Sequence, residues 1–218
     1  MNHLILINFK TYKEAAANKA LEIAKSLAKI KSNKYTIAVA PSLLTIKEVA
    51  QKTNLTVFSQ HTDNIGLGPN TGRIPADELK AIGVKGTILN HSERKIPSKY
   101  LKEIIEICRI KRIKTVVCAS SISEIKKILQ LNPDYLAYEP KEFIGGNISV
   151  TEAKPEVILR AAEIIKAINP RTRLLCGAGI HSKEDLGHAL LLGANGVLIG
   201  HAVSKAKDPK KFLEEMLL

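Results

Sequence analysis

Leu4-Ile5-Leu6-Ile7-Asn8-Phe9-Lys10 decides the fold. Four apolar residues in an unbroken run, not alternating with polar ones, describe a strand covered on both faces, the condition of a parallel sheet. The run ends in Asn8-Phe9-Lys10, and no glycine occurs before Gly66. An open doubly wound sheet would usually carry a Gly-rich turn directly after its first strand. Similar β-rich runs recur at Thr36–Ala40, Leu55–Gln60, Gly86–Asn90, Thr115–Ala119, Asp134–Tyr138, Arg173–Cys176 and Gly196–Ile199.

Helical patterns lie between these runs. Ala16, Ala20, Ile23, Ala24 and Leu27 share one face of a first helix. Ser121 and Glu124 have capping-box spacing ahead of Ile125, Ile128 and Leu129. Pro155 stands at a helix start, Ser182 and Asp185 open a helix that Gly193 closes, and Asp208-Pro209 opens the last. Eight strands, each followed by a helix or helical turn without a linker, predict an α/β protein. The expected form is a single closed (β/α)8 barrel over residues 1–218. At about 27 residues per unit the barrel is short for a fold of typically ~250 residues.

Composition narrows the function classes. A chain of 218 residues, 45% apolar and 25% charged, is neither disordered, collagenous nor a coiled coil. It buries enough surface to fold without a disulfide or metal. Its longest apolar runs, such as Leu4–Ile7 and Ala189–Leu192, fall far short of the ~20 residues of a membrane span, and no signal peptide is read. Three cysteines with no C-x-x-C pair fit a reducing, cytoplasmic setting. The net charge of +12 is spread along the chain. Its densest cluster, Arg109, Lys111, Arg112 and Lys114, falls late in a helical pattern. With 4% aromatics there is little surface for stacking bases. Nucleic acid is therefore not the expected partner, and the positive field suits a small anionic substrate.

In a barrel of this kind, reacting groups sit at the C-terminal ends of the strands. Those positions hold Asn8 and Lys10, then His91, Ser92 and Glu93, then Glu139 and Pro140, then Gly177-Ala178-Gly179, and finally Gly200 and His201. Each has an ordinary reading alone: a solvated lysine, a turn histidine, a capping carboxylate, a tight glycine turn. A cation, an imidazole, a carboxylate and two small-residue turns on one edge point together to chemistry on an anionic substrate.

Asn8-Phe9-Lys10, His91-Ser92-Glu93-Arg94, Tyr138-Glu139-Pro140 with Ile144-Gly145, Cys176-Gly177-Ala178-Gly179 and the stretch Gly196–Pro209 together resemble the triosephosphate isomerase family. The resemblance runs in order along nearly the whole chain. The short length, Asn90 before His91, and the Gly-Ala-Gly-Ile turn look like its archaeal branch. It implies a TIM barrel that interconverts dihydroxyacetone phosphate and D-glyceraldehyde 3-phosphate through an enediolate, with no cofactor and no metal.

By this resemblance Glu139 is the base and His91 the electrophile that polarises the carbonyl. Lys10 supplies fixed positive charge, and Asn8 orients it and donates to a substrate oxygen. A neutral histidine at a helix N-terminus is an established feature of this enzyme family, carried over here by likeness alone. Glu93, with Ser92 beside it, is expected behind these groups, pairing with Lys10 or its surroundings. Backbone N–H groups of Gly179, Gly200 and His201 are expected to hold the phosphate. Gly145 adds another from a lid over Pro140–Thr151 that closes on the phosphate and excludes water.

Two departures from the family pattern stand out. The lid reads Ile144-Gly145-Gly146-Asn147 where the family usually has Ile-Gly-Thr-Gly, and His201 replaces a small residue. The His201 side chain is expected to point outward, with only its N–H in use; a side-chain donor to the phosphate is the alternative. Cys118 reads as packing, and His61 lacks a second ligand at metal spacing.

The resemblance also implies that the loop His61–Pro75 reaches into a second subunit, with Thr71 nearest the partner's site. A homotetramer built from two dimers is expected. In Ser98–Ile113, Leu101, Ile104, Ile105 and Cys108 share the face that packs on the barrel, leaving Ile107, Ile110 and Tyr100 for a second interface. Other phosphate-binding barrels fit less well. A class I aldolase needs a Schiff-base lysine in the later strands, and a metal-dependent epimerase needs a His/Asp set across several. A non-catalytic, nucleic-acid-binding barrel has no need for Lys10, His91 and Glu139 to converge.

Overall fold

The computed structural model describes residues 2–140 and 154–217. Its eight strands are β1 (His3–Asn8), β2 (Tyr35–Ala40), β3 (Thr56–Ser59), β4 (Gly86–Leu89), β5 (Lys114–Ala119), β6 (Tyr135–Tyr138), β7 (Arg173–Cys176) and β8 (Gly196–Ile199). They pair in parallel in chain order, and β8 returns to β1, closing the barrel. The open doubly wound alternative is thereby excluded.

The unbroken apolar character of the strands now has its explanation. Leu4 and Leu6 join Phe58, Ile88, Val116 and Leu198 in a cluster inside the barrel. Their neighbours Ile5 and Ile7 belong to the larger cluster between barrel and helices. Strand side chains alternate between faces, so a strand apolar at every position buries both. Closure requires Gly196 (φ +150°), whose Cβ would come within 2.0 Å of the Leu4 carbonyl.

The described helices are α1 (Asn18–Leu27), α2 (Ile46–Lys52), α3 (Ala76–Ala81), α4 (Ser98–Ile110), α5 (Ile122–Leu129), α6 (Pro155–Ile168), α7 (Lys183–Leu191), α8 (His201–Ser204) and α9 (Pro209–Leu217). None is long and apolar enough to cross a membrane. Pro155 opens α6 as read. The Ser182/Asp185 pair caps α7 reciprocally, and Gly193 follows it at φ +97°.

Two details differ from the sequence reading. The Ser121 hydroxyl caps α5 by accepting the Glu124 N–H. The Glu124 carboxylate, however, accepts from the Ser120 N–H and hydroxyl and from Asn90, so the capping box is half made. α4 ends at Ile110, not Ile113, and Arg112 turns the chain at φ +55°. The basic cluster thus straddles the end of α4 and the turn into β5, where positive charge favours the negative end of the helix dipole.

Candidate active site

β1 carries Asn8 and Lys10 to the C-terminal mouth. Lys10 sits at φ +47°, a left-handed conformation that costs about 1–3 kcal/mol for a residue with a side chain. Its surroundings hold it there. The Asn8 Oδ1 accepts the Lys10 N–H at 3.0 Å. Gln60, after β3, donates through Nε2 to the Lys10 carbonyl and to the Ala40 carbonyl, both at 2.9 Å. The Lys10 ammonium meets the Glu93 carboxylate at 2.7 Å. Burial alone would lower its pKa. The hydrogen bond and charge of Glu93, aided by Tyr12 and Glu139, outweigh burial and hold it above the usual lysine range.

β4 ends in Asn90, at φ +57°. Its Nδ2 donates to the Cys118 carbonyl at 2.9 Å and to Glu124 at 2.8 Å, and its Oδ1 accepts the Ile96 N–H at 3.0 Å. This aims the next residue, His91, into the pocket. The His91 Nδ1 accepts the Glu93 N–H at 3.2 Å. The Glu93 carboxylate stands farther off, 3.6 Å from the same nitrogen, and already holds Lys10. An Nδ1 that accepts a backbone N–H carries no proton, so the geometry assigns a neutral imidazole with hydrogen on Nε2. That atom lies 3.4 Å from Glu139 Oε1. The likeness to the family suggested a helix N-terminus here. The structure places His91 in a turn closed by the Arg94 N–H on the His91 carbonyl, seven residues before α4 begins, and the Glu93 N–H fixes the tautomer.

Glu139 follows β6 and is 3% exposed. Its Oε2 is buried and has no hydrogen-bond partner among the described residues. A carboxylate oxygen removed from water and left unpaired is costly, which singles it out as a proton acceptor in waiting. Gly177, after β7, makes the room: a Cβ there would sit 2.5 Å from Glu139 Cγ and 3.1 Å from the Tyr138 carbonyl. Cys118, 1% exposed, packs in the apolar cluster inside the barrel, as read. Burial first, and then the Glu139 charge beside it, hold its thiol well above the ordinary cysteine range.

Gly179 turns at φ +64°, a value that favours glycine. Gly200 leads into α8, which starts at His201. The N–H groups of Gly179, Gly200 and His201 have no acceptor among the described residues. The His201 side chain is half-buried. Its ring stands 5.2 Å, centroid to centroid, from that of His181, and both residues line one pocket with Asn8, Lys10, His91, Glu139, Gly177 and Gly179. Burial, followed by the charges of His181, Lys205 and Lys10, lowers the His201 pKa.

The remaining expectations divide. Glu93 meets Lys10, while Ser92 is half-buried and does not line the pocket. Gly145 and the lid call on Pro140–Thr151, Gly146 and Asn147 included, lie outside the described residues beyond Pro140. No group of metal-ligating side chains large enough to hold an ion occurs among the described residues. His61 is buried against Asp63 at 3.3 Å. Asp63 staples its loop shut, accepting from the Ile74 N–H at 2.7 Å and from Arg73 at 3.1 Å. Thr71 is exposed. On α4 the four expected face residues are buried, Ile110 and Tyr100 are 76% and 52% exposed, and Ile107 is half-buried against the core instead of standing outside.

Sequence reading missed Asn90 and Gln60 as positioning residues, the purpose of Gly177, and His181. A polar residue flanking each candidate group was the available signal, but nothing local says which long-range partner it meets.

The chain matches the family model for triosephosphate isomerase over residues 3–216. It is 41% identical over 215 residues to a triosephosphate isomerase of Methanocaldococcus jannaschii, covering 98% of each chain. It is 39% identical over 216 residues to one of Archaeoglobus fulgidus, covering 98% of this chain and 96% of that one. A Methanothermus fervidus triosephosphate isomerase is 38% identical over 216 residues, with 98% and 97% covered.

Proposed function

This chain belongs to the triosephosphate isomerase family, and from that premise we infer how it interconverts dihydroxyacetone phosphate and D-glyceraldehyde 3-phosphate, a step of glycolysis and gluconeogenesis. Glu139 Oε2 takes a proton from C1 of the ketose. The electron pair left behind forms the C1–C2 double bond as the carbonyl π bond moves onto O2. His91 donates a hydrogen bond from Nε2 to that oxygen, and the Lys10 ammonium balances its negative charge. Glu139 then returns the proton to C2 while the O1 hydroxyl proton passes to O2 by way of His91 Nε2, leaving a C1 aldehyde and a C2 hydroxyl. Asn8 holds Lys10 and faces the same oxygens. The N–H groups of Gly179, Gly200 and His201 take the phosphate. Moving one proton between adjacent carbons needs no cofactor.

The observation that carries this assignment is the buried Glu139 Oε2, which has no hydrogen-bond partner among the described residues, beside a histidine whose Nδ1 accepts the Glu93 N–H and whose Nε2 stands 3.4 Å from the other carboxylate oxygen, Oε1. The test is turnover of D-glyceraldehyde 3-phosphate, coupled to NADH oxidation by glycerol-3-phosphate dehydrogenase, in the presence of a metal chelator. Turnover of order 10–10³ s⁻¹ is expected, within the ordinary enzyme range; its absence overturns the reading.

We place the working enzyme in the cytoplasm as one catalytic domain that assembles into a homotetramer. Three buried free cysteines support a reducing compartment. For the first interface, the loop His61–Pro75 exposes Leu67 at its tip (70%), and Leu44, 96% exposed, lines a concavity of about 860 Å³ with Thr11, Ala17, Leu43 and His61. A second copy's loop fits such a concavity. For the second interface, exposed Tyr100 and Ile110 on α4 offer an apolar patch.

A further inference from the structure

His181 and His201 are two imidazoles at the end of the pocket where the reading above puts the phosphate. They come from different units of the barrel. His181 immediately precedes the N-cap of α7, its backbone N–H held by the Asp185 carboxylate at 2.9 Å. His201 is the first residue of α8. The reciprocal Ser182/Asp185 cap fixes the first and the start of α8 fixes the second. The rings therefore meet at 5.2 Å because rigid elements bring them together. Both line the same pocket as Gly179, Gly200 and Lys10.

We propose that His181 and His201 form a proton-linked anion clamp: a dianion entering the phosphate end of the pocket binds together with a proton that the imidazole pair takes up.

The argument is one of charge. Without an anion, His201 is faced by His181 across the pocket, Lys205 at the end of its own helix and Lys10 from β1, with burial as the largest effect; all four act against protonation. Tyr12 lies beneath the two lysines, 5.9 Å from Lys10 Nζ and 4.5 Å from Lys205 Nζ. Glu139 lines the same pocket, and Asp185 stands behind the His181 backbone. Without an anion, the surroundings of His201 therefore disfavour its charged form. A doubly charged group within about 4–6 Å reverses the field at the imidazoles and raises their pKa. Anion binding then draws in a proton, and the affinity rises as pH falls through the histidine range. Main-chain N–H groups alone have no such response, because they do not titrate. The clamp rests on the isomerase reading for the identity of its ligand, but not for the proton linkage.

Inorganic sulfate is the probe, since it stays doubly charged throughout the range and leaves the protein as the sole source of titration. Calorimetry on the full chain should find sulfate bound at least about fivefold tighter at about pH 6 than at about pH 8.5, the size expected for one linked proton. That ratio should fall below about twofold in the His181→Asn/His201→Asn double variant. It should persist in Glu139→Gln, which separates the imidazoles from the carboxylate. Histidine side-chain NMR on the unaltered protein gives a second readout that needs no variant to fold: the His201 titration should move upward when sulfate is added. The clamp is overturned by a ratio that survives in the double variant, one that vanishes in Glu139→Gln, an unmoved His201 titration, or no sulfate binding at all. Since neither readout uses turnover, a protein that binds sulfate in this way but fails to isomerise overturns the reaction alone. One that isomerises with a pH-independent sulfate affinity overturns the clamp alone.

Discussion

Gly177 and Glu139 occupy one space: the nearest atom to a Cβ built on the glycine is the Glu139 Cγ, at 2.5 Å. β6 and β7 pair in register from Tyr135↔Arg173 to Tyr138↔Cys176. The residue after each strand therefore lies side by side at the mouth, and only one of the two can carry a side chain. Gly177→Ala should push Glu139 out of reach of His91. A displacement of about 1 Å costs up to ~10²-fold, so kcat should fall at least about tenfold while circular dichroism stays that of the parent. Steady-state kinetics with a thermal melt check this, and an unchanged kcat would mean that Glu139 does not act from this position.

Glu139→Gln keeps the shape and removes the basicity. kcat should drop at least about 10²-fold, the lower end for a general base. Affinity for a phosphate analogue at neutral pH should change little, because the N–H groups of Gly179, Gly200 and His201 are untouched. Single-turnover kinetics alongside calorimetry separate the two effects.

Lys10 acts by charge, not by forming a Schiff base. Its ammonium is held protonated by Glu93 at 2.7 Å, and a protonated amine does not attack a carbonyl. Lys10→Met removes the charge and keeps most of the stem; activity should fall by about 10²–10³, the usual scale for losing an electrostatic partner of the transition state. Borohydride reduction with substrate present should leave no adduct on Lys10 by mass spectrometry.

Asp63 makes loop anchoring pH-dependent. Burial would raise its pKa, but the Ile74 N–H, Arg73 and His61 outweigh burial and hold it below the usual aspartate value. A carboxylate lowered in the folded state contributes stability that is complete above its unfolded pKa, about 4, and is lost as pH falls through the lower folded value. Self-association through the loop His61–Pro75 should therefore hold down to about pH 4 and fade below it. In Asp63→Asn it should be weak at every pH. Sedimentation velocity across that range measures this.

Ile110 and Tyr100, not Ile107, are the residues to charge on α4. Ile107 packs on the core, so a charge there tests folding. Ile110→Lys with Tyr100→Glu should leave the barrel folded and split tetramers into active dimers, because unpaired charge buried in an interface is strongly unfavourable. Light scattering reads the mass. A double variant that remains tetrameric moves the second interface off this helix, and a parent that is a stable dimer removes it altogether.

What the sequence determined by itself is whatever depends on neighbours along the chain. The apolar run Leu4–Ile7 and its seven counterparts mark strands to within a residue or so. Their unbroken character requires cover on both faces, and the absence of a glycine after the first directs them into a barrel. Because every strand runs the same way, Lys10, His91, Glu139, Gly179 and His201 had to arrive at one rim. Only the tertiary structure decided how they are aimed. Gln60 holds Lys10 from 50 residues away, Asn90 ties the His91 turn to Cys118 across 28 residues, and Gly177 clears space for a side chain on another strand. The His201 ring comes to stand beside that of His181, from a different unit of the barrel. Strand propensity and polarity are short-range and leave their mark in the order of residues. Hydrogen bonds and van der Waals contacts between strand ends exist only once the barrel closes, and no local pattern encodes which atom meets which.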